Sequence, residues 1–229
     1  MSNIRNIKLT LKSRRTMEGA GVRLKRAFGY ADPSLDPFLL LDDFHSDDPN
    51  DYIAGFPWHP HRGIETITYM LHGKVEHGDS MGNRGVIGSG DVQWMTAGSG
   101  IIHQEMPKRN PDDTFLAGFQ LWANLPASHK MMDPRYRDIT KEQIPEVMVN
   151  EKVRVKIICG EINGVKGPVQ DIVTDPEYLD VYIEPNFEFK HIIDSSHNAF
   201  AYVIEGEAYF DPSKDKIVGE ENLVIFREG

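Results

Sequence analysis

TYMLHGKV, residues 68–75, aligns with AYVIEGEA, residues 201–208, at an offset of 133 positions. Each segment has β-branched or aromatic residues beside a glycine, Gly73 in the first and Gly206 in the second, which is typical of two strands joined by a tight turn. We therefore predict a β-hairpin at each place. Two matched hairpins so far apart indicate two copies of one β-barrel unit, because solenoid repeats recur about every 20 to 50 residues.

Short strand-like segments fill the sequence around both copies. Its 14 prolines and 20 glycines separate runs of β-branched and aromatic residues, and helical periodicity is scarce. The polar stretch 126–149 contains three prolines and is the best candidate for the connection, with one helical turn predicted at residues 140–144. The sequence thus predicts an all-β chain with two barrels, residues 1–130 and residues 131–229.

The second barrel is expected to be short at its C-terminus. At the same offset, the counterpart of His103 would be position 236, beyond the last residue, Gly229. The last predicted strand, within residues 222–229, would then have an open edge, and open edges of β-sheets pair readily with other strands. We expect this edge to be covered by a partner chain, by the N-terminal segment or by the first barrel.

The composition restricts the classes of partner. The chain has 25 basic and 35 acidic residues, a formal net charge of −10, so its surface repels phosphate backbones and direct nucleic-acid binding is not expected. Cys159 is the only cysteine, which excludes an intramolecular disulfide. Since no apolar run reaches the length of a signal peptide core or a membrane span, we expect a cytoplasmic protein with no membrane partner.

Two pairs of potential metal ligands have the same spacing. His59 and His61 lie in FPWHPH, and His103 and Glu105 lie in GIIHQEM. Residues two apart on a strand share a face, so each pair can present two ligand atoms in one direction. The antiparallel chain between the pairs is long enough to bring the second beside the first. The four residues together predict a metal site in the first barrel.

The donor set of this site restricts the metal. Three imidazole nitrogens and one carboxylate oxygen suit Fe, Mn, Ni, Cu or Zn, and they disfavour Ca and Mg. If strand parity continues past His61, Glu65 faces the same side and is an alternative carboxylate ligand.

Other conspicuous residues receive structural interpretations. Residues 36–44, DPFLLLDDF, read as a buried strand, and Trp94 and Trp122 as core residues. Surface or turn positions are predicted for the remaining histidines: His45, His72, His77, His129, His191 and His197.

The chain resembles the pirin family of the cupin superfamily. The resemblance covers most of residues 20–136, within the blocks 36–44, 56–73, 77–107 and 121–130. It implies a bicupin, with two jelly-roll-like cupin barrels and a metal in the N-terminal barrel only. The ligands implied by the resemblance are His59, His61, His103 and Glu105, with iron the foremost metal. The general cupin pattern would instead place the carboxylate ligand at Glu65.

The resemblance also implies a function. Pirins are associated with quercetin 2,3-dioxygenase activity, in which a flavonol and O₂ meet at the metal, the heterocycle is opened and carbon monoxide is released. Glu105 would then accept the proton of the flavonol hydroxyl. The resemblance also implies an alternative, since eukaryotic pirins look like iron-dependent transcription cofactors: a metal- and redox-responsive regulatory binding protein without catalysis. This alternative requires a protein partner rather than a flavonol.

Overall fold

A computed structural model describes residues 4–29 and 33–228 of the chain. Within them, short 3-10 turns occur at Pro33–Leu35, Pro49–Asp51, Ala127–His129 and Lys141–Gln143, the last at the predicted helical turn. The remaining elements are strands: β1 (Ile7–Lys12), β2 (Arg14–Glu18), β3 (Val22–Phe28), β4 (Phe38–Asp43), β5 (Phe56–His61), β6 (Ile64–His72), β7 (Lys74–Asp79), β8 (Arg84–Gly88), β9 (Val92–Thr96), β10 (Ile101–Pro107), β11 (Ala117–Asn124), β12 (Arg135–Ile139), β13 (Glu146–Asn150), β14 (Val153–Cys159), β15 (Glu161–Ile162), β16 (Val165–Lys166), β17 (Tyr178–Ile183), β18 (Phe200–Tyr202), β19 (Glu207–Tyr209), β20 (Ile217–Gly219) and β21 (Asn222–Phe226).

The all-β prediction is confirmed by this architecture. Over the two described ranges, every helical segment is far too short to cross a bilayer. The predicted buried strand at residues 36–44 is β4.

Two antiparallel sheets form the first unit. The larger has the strand order β12-β9-β6-β11-β4-β3-β2, and the smaller has the order β5-β10-β7-β8. Side-chain contacts join the two sheets: Thr68 of β6 bonds to Glu105 of β10, and the Trp122 ring of β11 lies against His61 of β5. The space between the sheets is therefore lined by polar side chains, and the candidate ligands lie on the smaller sheet.

The main hydrophobic core lies on the opposite face of the larger sheet. Ile67 and Tyr69 of β6 alternate along the strand with Thr66 and Thr68, so one face of β6 is apolar and the other polar. The apolar face packs with Trp94, Leu121, Ile158, Leu223 and Ile225, which come from both units. Burial of each such side chain stabilises the fold by about 1.5–3 kcal/mol.

The second unit repeats part of the first. Its sheet β13-β14-β17 corresponds to β2-β3-β4, and β18, β19, β20 and β21 follow one another as β6, β7, β8 and β9 do. In the first unit, β11 lies between β4 and β6 in the sheet and pairs with both. Among the described residues, no strand pairs with both β17 and β18, the counterparts of β4 and β6. The internal repeat is thus a repeat of strand order as well as of sequence.

The predicted hairpins at Gly73 and Gly206 are wrong in one respect. Strands β6 and β7 belong to different sheets, and so do β18 and β19. Each glycine has a positive φ, +88° at Gly73 and +74° at Gly206, a conformation that glycine adopts without steric cost. The aligned segments are therefore corners at which the chain passes from one sheet to the other.

The N-terminal strand covers the edge of β21. Residues Leu9 and Leu11 of β1 pair with Ile225 and Leu223 of β21, which confirms one of the three expected covers. In the first unit β12 occupies the matching place beside β9. Both pairings cross the boundary expected between residues 130 and 131, so the division into two domains at that point stays a prediction.

Candidate metal centre

Strand pairing brings the three candidate histidines together. In the register of β10 with β5, His103 lies opposite His59, and Ile101 lies opposite His61. The face shared by His59 and His61 is therefore the face on which His103 stands. The turn before β10 includes Gly98, whose φ of +50° allows a tight return of the chain.

The ligand atoms of these histidines lie close to one another. One ring nitrogen from each of His59, His61 and His103 can be chosen so that all three lie within 4.8 Å of one another. The Nε2 atoms of His59 and His103 are 3.0 Å apart. The ring centroids are separated by 4.4 to 4.9 Å. Three imidazoles thus converge on one point.

Hydrogen bonding determines which nitrogens face that point. The Nδ1 atom of His59 is 2.8 Å from the carbonyl oxygen of Pro57, to which it donates its proton, so Nε2 has a free lone pair. The buried atoms Nε2 of His61 and Nδ1 of His103 have no hydrogen-bond partner in the described part of the chain. Without a cation, the contact between His59 and His103 is a single N–H···N bond. A cation could replace that proton and bind both lone pairs.

Burial keeps two of these rings neutral. It lowers the pKa of His61 to about 3, with the neighbouring His103 and His59 rings adding to the effect. It lowers the pKa of His103 to about 3 as well, with His59 contributing next. Neutral imidazole is the form that coordinates metals.

The spacing fits a transition-metal ion. Two nitrogens bound at about 2.1 Å and at right angles to each other are about 3.0 Å apart. The Nε2 atoms of His59 and His103 have this separation. The same ion would satisfy the buried Nε2 of His61, which has no protein partner and costs free energy if left unsatisfied.

Glu105 is buried beside this cluster and is bonded to the opposite sheet. Only 6% of the residue is exposed, and its Oε1 accepts a hydrogen bond from the Thr68 hydroxyl at 2.8 Å. The pairing of β10 with β5 is irregular between His103 and Glu105, since Glu105 lies opposite Phe56, whereas the pairing with β7 is regular. Because β10 pairs with β7 without a register shift, Glu105 lies on the same face of β10 as His103. Its part as the fourth ligand stays a prediction.

Glu65 lies away from the three histidines. Its face of β6 is that of Ile67 and Tyr69, in the main core, where its Oε1 accepts a bond from Thr96 at 2.7 Å. Complete burial raises the pKa of Glu65, while the Thr96 and Trp94 side chains oppose this shift. The expectation that Glu65 faces the histidines is wrong.

The reason is a turn between β5 and β6. Arg62 and Gly63 separate the strands, and Gly63 has a φ of +70°. Alternation of side chains holds within a strand and does not continue through such a turn.

The sequence did not predict the positions of several residues near the site. Trp122, predicted to be core, is half-buried, and its ring centroid is 4.9 Å from that of His61. His77, predicted to be at the surface, is only 2% exposed, and its Nδ1 is 2.5 Å from the Tyr136 hydroxyl. Thr68 was missed too, although a polar residue on the second face of an apolar strand was a signal for it.

A cleft of about 560 Å³ opens beside the histidine cluster. Polar and apolar groups share its walls, and one wall is His61 itself. Its other walls are formed by Pro60, Arg62, Ser80, Gly100, Ile101 and Ile102. A small organic molecule in this cleft would lie next to the ligand cluster.

Known proteins match both the sequence and the fold. The pirin family profile matches residues 21–123. A Pseudomonas aeruginosa protein, provisionally named a quercetin 2,3-dioxygenase, is 42% identical over 216 residues, which cover 92% of this chain and 75% of that protein. A Caulobacter vibrioides protein named as pirin-like is 43% identical over 206 residues, 89% of this chain and 74% of that protein.

A solved structure agrees with these relatives. The crystal structure of a quercetin 2,3-dioxygenase from Acinetobacter baumannii superposes with a TM-score of 0.87 and 29% identity, covering 99% of this chain and 81% of that one. The fold and the identity to named relatives lead to one conclusion: the chain belongs to the pirin family of bicupin proteins.

Proposed function

We propose that this protein is a metal-dependent dioxygenase of the pirin type, which opens a flavonol such as quercetin with O₂. The observation that carries the proposal is the convergence of three imidazole nitrogens within 4.8 Å, beside a cleft that reaches His61. The names of the relatives from Pseudomonas aeruginosa and Acinetobacter baumannii support the reaction class.

The metal would be held by His59, His61, His103 and Glu105. This donor set favours iron first, with Mn, Ni, Cu and Zn as further candidates. When bound, such a metal supplies Lewis acidity that polarises a phenolate oxygen and orients the substrate towards O₂.

The protein's own residues would bind and orient the substrate. Pro60 and Ile102 give the cleft an apolar surface for a flat aromatic ring, and the exposed Arg62 adds positive charge for a phenolate. Glu105, through a long or labile bond to the metal, would take the proton of the flavonol hydroxyl, because the metal would occupy the lone pairs of the three histidines.

The test is turnover by metal-loaded protein. The purified chain is loaded anaerobically with Fe, Mn, Ni, Cu or Zn and then mixed with quercetin and O₂, with carbon monoxide release as the readout. His61→Ala should abolish turnover, and His129→Ala, at an exposed histidine outside the cluster, should leave it unchanged.

Two results would contradict the proposal. Full turnover by His61→Ala would remove the metal centre from the reaction. Absence of turnover from every loaded form, with metal bound, would favour the regulatory alternative, in which the metal controls the binding of a protein partner.

A further inference from the structure

Two hydrogen-bonded side chains, Thr68 and Gln120, connect Glu105 to the larger sheet. The Thr68 hydroxyl oxygen is 2.8 Å from Oε1 of Glu105 and 2.6 Å from the terminal amide of Gln120. Thr68 and Gln120 are paired neighbours on β6 and β11 of the larger sheet, and the contact of Thr68 with Glu105 of β10 crosses the space between the sheets. Thr68 is only 3% exposed, so water does not compete freely for its hydroxyl.

The number of protons determines which group donates and which accepts in these two hydrogen bonds. A threonine hydroxyl has one proton, so Thr68 can donate to only one of its two neighbours. A carboxylate that binds a metal is ionised and can only accept, so the proton of Thr68 goes to Glu105. Gln120 must then donate to Thr68 with its NH₂ group, an orientation reached by a half-turn of its terminal amide.

We propose that Thr68 and Gln120 are positioning residues for Glu105. They hold the carboxylate in one orientation, with Oε1 engaged by the hydroxyl, so that metal binding falls to Oε2. The inference rests on the proposed function in one respect, namely that Glu105 is a metal ligand.

The expected effect follows from the behaviour of ligand supports. Loss of a hydrogen-bonding partner of a metal ligand costs about 10- to 100-fold in metal affinity. Without the hydroxyl, the Glu105 carboxylate can rotate about its terminal torsion, and the coordination of the metal changes. Thr68→Val removes the hydroxyl and keeps the shape, while Thr68→Ser keeps the hydroxyl.

The chain offers a matched control at Thr66. Thr66 is 2% exposed, stands two residues before Thr68 on the same face of β6, and lies opposite Trp122 rather than Gln120 in the register with β11. Thr66→Val therefore makes the same chemical change on the same strand, outside the hydrogen bonds that hold Glu105.

The experiment measures binding of cobalt(II) to the metal-free protein, residues 1–229. Calorimetry gives the Kd, and the visible ligand-field spectrum reports the coordination of the bound ion, independently of turnover. Thr68→Val should weaken binding about 10-fold or more and shift the visible bands. Thr68→Ser and Thr66→Val should stay within about 2-fold of the unmodified protein with unchanged bands. Gln120→Met, which leaves the Thr68 hydroxyl in place without its support, should shift the bands in the same direction as Thr68→Val but by less.

The outcomes separate this inference from the proposed function. A Kd and spectrum unchanged in Thr68→Val would overturn the positioning role, and so would equal losses in Thr68→Val and Thr66→Val. If Thr68→Val does not fold, as judged by its melting curve without metal, an unchanged spectrum in Gln120→Met would overturn it. Failure of the unmodified protein to bind cobalt(II) would instead remove the metal centre on which the proposed function depends.

Discussion

Glu65 and Thr68 lie on opposite faces of β6, although they are only three positions apart. Glu65 is completely buried in the core shared by both units, and Thr68 is bonded to Glu105 between the two sheets of the first unit. The two carboxylates that the sequence offers as ligands are therefore on different sides of the larger sheet.

This separation predicts that two similar substitutions differ in their effect on metal affinity. Glu105→Gln should weaken transition-metal binding about 10-fold or more, because it removes a charged ligand. Glu65→Gln should leave the Kd within about 2-fold, since its face of β6 does not reach the histidines. Calorimetric titration of both variants with manganese(II) makes the comparison. An equal loss of affinity in both variants would mean that Glu65 acts on the metal after all.

A hydrogen bond between the two units predicts a loss of stability. The Tyr69 hydroxyl donates to Oδ2 of Asp180 at 2.7 Å, from β6 to β17, and Tyr69 is 2% exposed. Tyr69→Phe should lower the free energy of unfolding by about 1.5–3 kcal/mol, because the lost bond has a charged acceptor. Tyr209→Phe, at a half-exposed tyrosine, should change it by less than about 0.5 kcal/mol.

Urea unfolding of both variants measures these changes. A double-mutant cycle with Asp180→Asn assigns the loss to the pair. Additive effects of Tyr69→Phe and Asp180→Asn would show that the bond contributes nothing.

The ion pairs of Glu221 predict a dependence of stability on pH. Glu221 lies 2.6 Å from Nζ of Lys25 and 3.0 Å from Nζ of Lys12, so it connects the turn before β21 to β3 and β1. Hydrogen bonds from Lys25 and then Lys12 lower its pKa to about 2. Because the folded form releases this proton more readily than the unfolded chain, the contribution is complete above about pH 5 and is lost as the pH falls towards 2.

Glu221→Gln should therefore lower the free energy of unfolding at neutral pH by about 0.5–1 kcal/mol, a small value because a third of the side chain is exposed and solvent screens the pairs. The difference from the unmodified protein should be constant between pH 8 and 6 and shrink between about pH 4.5 and 3. Urea unfolding at these pH values measures it, and a difference that widens in acid would be the opposite result.

Within single strands, the sequence correctly predicts which side chains share a face. Alternation predicts that His59 and His61 share a face, and so do His103 and Glu105, as the strands β5 and β10 show. The internal repeat predicts two related units, because the same corner glycine and the same strand order occur twice. The edge of β21 is covered by β1, and the N-terminal segment is one of the covers that the sequence predicts.

Relationships between distant strands were harder to predict. The pairing of β1 with β21 joins residues more than 200 positions apart, and no local pattern specifies such a partner. The irregular register between His103 and Glu105 depends on an extra residue in β5, which alternation alone does not reveal. Glu65 was misplaced because the Arg62–Gly63 turn reverses the face between two strands that look continuous in the sequence.

The central claim is that four side chains of the first unit bind one transition-metal ion. A crystal structure with cobalt(II), with anomalous differences collected on both sides of the cobalt absorption edge, tests it directly. We expect one strong anomalous peak within about 2.0–2.3 Å of nitrogen atoms of His59, His61 and His103 and of an oxygen of Glu105. A peak bound by other residues, or none with cobalt in excess, would contradict the account.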